Sequence, residues 1–188
     1  PHGYQIHFGI NKLKSRGWVH TKSKDPLEKP EIVMNHFEDQ QDIEDYRMAF
    51  RLSREIGNQP AFDEYRKCEI DPGDNVQTDE EIDSWVRENV ETAYHPTCTC
   101  KIGADDDLMA VVDSECKVRG IQHLRIVDSS IFPSVPNGNT NAPTIMLGEK
   151  AADIIRGLAP LAPSNAESYV SPNWKTNQRE GIAVRPML

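Results

Sequence analysis

The sequence predicts an α+β fold, and three observations carry that expectation. Short strand-like runs come first, two amphipathic helical stretches follow, and a β-rich run then leads through an irregular loop into a third helix. At 188 residues the chain can bury a sizeable core, as one domain or one and a half.

Residues 4–9 and 17–21 have strand-like content, joined by a linker containing Asn11, Lys12, Lys14 and Arg16. Residues 24–30 form a turn region, where Pro30 biases Lys29 toward an extended conformation, and Ile32 and Val33 make a short strand. Residues 42–56 read as a helix, because Ile43, Tyr46, Ala49, Phe50 and Ile56 fall on one face; Gly57 and Pro60 close it. A second helix starts after Thr78, where Thr78 and Glu81 can satisfy each other's backbone amides as a capping box. Ile82, Trp85, Val86 and Val90 supply its inward face, and Trp18 and Trp85 are expected in the core or at a domain seam.

From His95 to Val112 the chain is rich in turns. Its acidic tip, Asp105 to Asp107, lacks the alternation and closing Glu of a calcium loop and reads as solvated. Residues 111–120 make a hairpin-like excursion, and residues 124–127 form the best strand in the chain. That strand runs into Asp128, Ser129 and Ser130, a position where ligands collect in open α/β sheets. Pro133, Pro136 and Gly138 then force an irregular path into a helix over residues 143–156. Pro143 suits its first turn, Gly148 is expected to allow a close backbone approach, and Gly157 and Pro160 end it. Residues 159–188 read as an irregular tail lying over the surface or a partner.

A formal charge of -9 argues against a general nucleic-acid binder, which needs an excess of Lys and Arg to meet phosphate. The four cysteines do not form a disulfide framework. Cys98 and Cys100 make a Cys-x-Cys pair without a second pair or a spaced His, so no metal site is expected. No apolar run approaches bilayer length, and a reducing, aqueous compartment fits best. The chain opens at Pro1 without Met and is read as a piece of something longer.

Chemistry concentrates in two places. His95, followed by Pro96 and flanked by Thr97 and Thr99, can accept a proton near neutrality, or it can be a satisfied structural histidine. Asn139, Thr140, Asn141 and Thr144 cluster where a helix begins, and open amides there favour an electron-rich group such as a flavin ring or a phosphate. Simple capping by Asn141 is the alternative and explains only one of the four. Asp128 and Ser129 can bind ribityl or ribose hydroxyls, or merely cap the next turn. These residues leave a cofactor-assisted oxidoreductase, a hydrolase and a binding module open; the absence of a Gly-x-Ser-x-Gly elbow lowers the hydrolase reading.

Residues 15–35, 42–56, 77–79, 93–103, 110–113, 124–133 and 138–155 together resemble the C-terminal part of the glucose–methanol–choline oxidoreductases. The resemblance implies the C-terminal portion of a two-domain flavoenzyme. In it, an antiparallel-sheet substrate domain (residues 1–92) joins a return segment of the FAD-binding α/β domain (residues 93–158), before the tail at 159–188. It implies His95 as the active-site base and Asn139 as the second active-site residue, with Asp128, Ser129, Asn141 and Thr144 near the FAD cofactor. The implied reaction is hydride transfer from a primary alcohol to flavin, most closely choline to betaine aldehyde, with another primary alcohol or a non-catalytic assembly fragment as alternatives. The family's Gly-x-Gly-x-x-Gly turn is not in this chain, so an N-terminal FAD-binding portion is an expected partner and the chain alone is expected to be inactive. The electron acceptor stays open between oxygen, a quinone and another acceptor, and the setting between the cytoplasm and the mitochondrion, with a place peripheral to an inner membrane as one option. Tyr94 is either a packing residue or part of a cage for a trimethylammonium head.

Overall fold

A computed structural model describes residues 3–170 together with Pro172. In chain order come strands β1 (Trp18–His20) and β2 (Glu31–Val33), then helices α1 (Gln40–Gly57), α2 (Asp79–Asn89) and α3 (Asn141–Arg156). Short 3-10 turns occupy Pro60–Phe62 and Ser129–Ile131. β1 and β2 pair antiparallel, with Trp18 opposite Val33 and His20 opposite Glu31. Among the described residues this pair is the whole sheet. Gly17 permits it: a Cβ there would lie 2.0 Å from the Val33 carbonyl oxygen, so any larger residue pushes the strands apart.

The strand expected over residues 4–9 is not formed. Its backbone meets no neighbouring strand among the described residues, and side chains anchor it instead. Phe8 packs against Tyr46 and Phe50, and Tyr4 stacks on Phe62 at 5.4 Å.

The segment leading into β1 is fastened to the start of α1 by one buried carboxylate. Asp42, 1% exposed, accepts the amides of Lys14 and Ser15, both at 2.8 Å. The Ser15 hydroxyl in return accepts the Asp39 amide at 3.1 Å, and Asp39 caps α1 by accepting from the Gln41 amide. Ile43 and Phe50 of α1 meet Ile82 and Val86 of α2 in the first core, with Phe8, Phe37, Tyr46, Val76 and Trp85 around it. Trp85 takes its expected place, edge-on to Phe50 at 5.4 Å, whereas Trp18 remains 41% exposed on its short strand. Arg47 grips Asp83 through two nitrogens, at 2.5 and 2.9 Å, and so locks α1 to α2 at the core's edge.

α2 begins as its sequence predicts. The Thr78 hydroxyl accepts the Glu81 amide at 3.2 Å, and the Glu81 carboxylate accepts the Thr78 amide at 2.9 Å. Thr78→Ala is expected to lower stability by about 1 kcal/mol, read as a reduced midpoint in thermal unfolding.

A second core gathers Val112, Cys116, Ile131 and Ala151, with Ile102, Val111, Val118, Ile126 and Leu147 packed against it. Burial pushes the Cys116 thiol up in pKa and Asp113 adds to the effect, so this sulfur serves as packing. All four cysteines are free thiols. The excursion at residues 111–120 is present as an antiparallel bridge between Val112 and Val118. Residues 124–127, expected as the best strand, form only one bridge, Lys117 to Arg125. The Val118 amide reaches the Leu124 carbonyl and the Ile126 amide the Cys116 carbonyl, at 3.0 and 3.1 Å. Pairing stops there because the chain turns at Gly120, with φ of 76°, and Asp128 opens a 3-10 turn.

α3 ends as expected at Gly157, which adopts the left-handed conformation and returns its amide to the last turn. Gly148 faces open space, so the close approach expected there is absent among the described residues. Residues 159–170 carry no regular element, and residues 171 and 173–188 of the expected tail lie outside the described residues. No helix among the described residues is long and apolar enough to cross a membrane.

Candidate active site

His95 is aimed by an unusual backbone and a hydrogen-bonded track. Tyr94 has φ of 58°, a left-handed conformation that costs a non-glycine residue about 1 kcal/mol. The Tyr94 amide donates to the Thr92 hydroxyl at 3.0 Å, which holds this turn, and Pro96 stiffens the chain immediately after His95. Beyond it, the amides of Cys98, Cys100 and Ile102 donate to the carbonyls of Ser129, Ser130 and Ile131 at 3.4, 2.9 and 2.8 Å. The histidine's segment is thereby laid against the 3-10 turn that follows Asp128.

The half-buried His95 ring meets partners on both nitrogens. Nε2 lies 3.2 Å from Oδ1 of Asn139, a residue 44 positions away in sequence and exposed on its outer side. Nδ1 lies 3.1 Å from the Tyr94 carbonyl oxygen and 3.2 Å from the Thr140 hydroxyl. The Tyr94 carbonyl and Asn139 Oδ1 can only accept, so this arrangement satisfies an imidazolium, the state a histidine reaches after taking a proton. In the neutral ring, Nδ1–H stays on the Tyr94 carbonyl and Nε2 carries the lone pair. Rotation of the Asn139 amide then presents its NH2 to that lone pair or to an oxygen beside it. The pair thus sets an imidazole nitrogen directly against a side-chain amide that can accept or donate.

The remaining expected residues surround this pair unequally. The Ser129 hydroxyl donates to the Pro96 carbonyl at 3.5 Å, next to His95. The Thr144 hydroxyl donates to the Thr140 carbonyl at 2.7 Å and so stiffens the residue that touches His95. Asp128 accepts the Ser130 amide at 2.7 Å, the local capping role, and stays exposed with no direct bond to His95 or Asn139. Asn141 does not cap α3 as the simpler reading expected. It is the first residue inside the helix, and the capping position belongs to Thr140. The packing expected for Tyr94 is also absent, its ring being 80% exposed. Two groups were not foreseen as His95 partners: the Tyr94 carbonyl and the Thr140 hydroxyl. The adjacency of Thr140 to Asn139 and the missing amide of Pro143 were the sequence signals for the second.

At the start of α3 the amides of Asn141 and Ala142 have no partner among the described residues, and Pro143 has no amide to offer. Open amides at the positive end of a helix suit the electron-rich edge of a flavin, and they lie next to the His95–Asn139 pair. The donor set therefore fits FAD.

A family model described as GMC oxidoreductase matches residues 14–148. The oxygen-dependent choline dehydrogenase of Photobacterium profundum is 55% identical over 187 residues, 100% of this chain and 33% of that protein. That of Vibrio vulnificus is 56% identical over 184 residues, covering 98% of this chain and 33% of that protein. The chain thus spans about a third of the length of the curated relatives it matches. Among solved structures, an FAD-dependent oxidoreductase from Chaetomium thermophilum superimposes with a TM-score of 0.73 at 37% identity, over 78% of this chain and 25% of that one. Pyridoxine 4-oxidase from Mesorbium loti gives 0.75 at 28% identity, over 81% of this chain and 29% of that one. The chain belongs to the GMC oxidoreductase family, of which it represents the C-terminal part.

Proposed function

We propose that the chain is the catalytic C-terminal part of an enzyme that oxidises choline to betaine aldehyde with FAD as cofactor. The observation that carries this reading is the 3.2 Å meeting of His95 Nε2 with Asn139. The names of the relatives support choline, and the FAD-dependent oxidoreductase fold supports the cofactor.

In this reading His95 accepts the substrate hydroxyl proton at Nε2, while the Tyr94 carbonyl holds Nδ1–H and fixes the tautomer. Asn139 donates an amide N–H to the same oxygen and stabilises its growing negative charge. A neutral amide cannot act as a base, so the proton transfer belongs to His95. The hydride acceptor would be supplied by bound FAD. The amides of Asn141 and Ala142 would hold it, with the side chains of Asp128, Ser129, Asn141 and Thr144 nearby. The exposed Tyr94 ring is available to a trimethylammonium head.

Residues 1–92 act in this scheme as the closing part of the substrate domain and residues 93–158 as the return into the FAD domain. The two hydrophobic clusters, one drawn from residues 8–86 and the other from 102–151, support that division. The FAD pyrophosphate turn belongs to the N-terminal portion. Oxygen, which appears in the relatives' names, is the acceptor of choice beside the quinone that the sequence leaves open.

A second reading, oxidation of another primary alcohol, draws on the structural likeness to pyridoxine 4-oxidase and to a fungal aryl-alcohol oxidase. Anaerobic mixing of the complete enzyme with choline, benzyl alcohol or pyridoxine separates the two through the rate of flavin bleaching. Choline is expected to bleach the flavin fastest. Faster bleaching by an aromatic alcohol selects the second reading, and an assembled protein without flavin selects a non-catalytic role.

A further inference from the structure

We infer that Thr140 is a positioning residue for His95, a helix-capping hydroxyl diverted from its helix to hold the catalytic ring. The inference rests on the role proposed above for His95 and extends it to a residue with no assigned part in the chemistry.

Thr140 stands at the capping position of α3, where a threonine ordinarily accepts the amide of the second or third helical residue. It makes no such bond. The third helical residue is Pro143, which has no amide, and the Thr140 backbone has turned to φ of -81° and ψ of -11° instead of the extended shape that aims a cap inward. Its hydroxyl lies instead 3.2 Å from His95 Nδ1. The diversion leaves open the Ala142 amide that a capping hydroxyl would accept, which costs helix stability. Meanwhile Thr144 spends its own hydroxyl on the Thr140 carbonyl at 2.7 Å, which fixes Thr140 from the other side.

The gain is geometric. Thr140 follows Asn139 directly, so one bond to Nδ1 ties the loop carrying Asn139 to the ring whose Nε2 faces that same residue. Ring and amide are held at a fixed separation, which catalysis on a shared oxygen requires. The hydroxyl also suits both states of the ring. It accepts from Nδ1–H in the neutral base and accepts more strongly from the imidazolium, because a charged donor makes the better hydrogen bond. Thr140 therefore keeps its hold on the ring as the substrate hydroxyl loses its proton to Nε2.

The test uses the complete flavin-loaded enzyme with Thr140→Val, which keeps the shape and removes the hydroxyl, and with Thr140→Ser, which restores it. Thr140→Val is expected to lower the limiting rate of flavin reduction by choline about tenfold. Thr140→Ser is expected to recover the rate. An unchanged rate in Thr140→Val overturns the inference, and so does an equal loss in the Val and Ser variants, which marks a packing role. Flavin absorbance confirms that each variant is assembled. If His95→Ala is itself fully active, the parent reading has failed. If His95→Ala is inert and Thr140→Val is normal, only the role of Thr140 has failed.

Discussion

Replacing His95 by alanine in the complete enzyme is expected to slow flavin reduction by choline about 10²- to 10⁴-fold, with FAD still bound. The size of the loss follows from what the ring alone supplies. Of the side chains meeting at the site, Asn139 and Thr140 are neutral donors and acceptors, and only the imidazole can act as a base. Without it, the substrate hydroxyl must release its proton to water while hydride leaves the neighbouring carbon. FAD retention is expected because no contact assigned to the cofactor runs through the imidazole; the open amides of Asn141 and Ala142 lie on α3, after the ring's partners. Asn139→Ala is expected to produce a smaller loss, since it removes one donor to the reacting oxygen and leaves the base in place. Flavin lost from the His95→Ala protein would instead give the ring a structural role.

The largest stability effect is expected at Asp42, remote from the chemistry. Its carboxylate, 1% exposed, holds the amides of both Lys14 and Ser15 at 2.8 Å. Asp42→Ala leaves both amides without an acceptor, at a cost of about 2–3 kcal/mol. Burial raises the pKa of this carboxyl, but the Lys14 amide, the Ser15 hydroxyl and amide, and the Arg16 charge outweigh it, so the group sits below its ordinary value. The sign of the linkage follows. A depressed carboxylate contributes fully above its unfolded pKa, about 3.9, and its contribution fades as pH falls through the lower folded value. Asp42→Asn imitates the protonated acid, so the difference between wild type and this variant is expected to be large at neutral pH and to shrink below about pH 4. Thermal midpoints measured across that range check it; a difference independent of pH contradicts the assigned charge.

Legibility in the sequence divided according to how far each feature depends on distant partners. The Thr78–Glu81 capping box was readable because both bonds span three residues, and α1 was readable because one stretch carries its whole apolar face. Strands at 4–9 and 124–127 were misread for the opposite reason. A run of apolar residues states a preference, whereas a strand needs a neighbour, and the turn at Gly120 ends that pairing early. At the site, spacing alone did not join His95 to Asn139 across 44 residues; the resemblance to a known family did. The part played by Thr140 was hidden because capping geometry is a property of the folded loop. Pro143, three positions on, was a visible hint that the usual amide would be missing. The left-handed Tyr94 gave no hint, since tyrosine seldom adopts that conformation.

Anaerobic flavin reduction in a double-mutant cycle of His95→Ala and Asn139→Ala tests most directly whether ring and amide serve one substrate oxygen. Groups acting on the same atom are coupled, so removing Asn139 should cost much less once His95 is gone, and the double variant should resemble His95→Ala alone. Losses that simply multiply, each residue slowing reduction by the same factor whether or not the other is present, would show that the two act independently and would contradict a shared reactive centre.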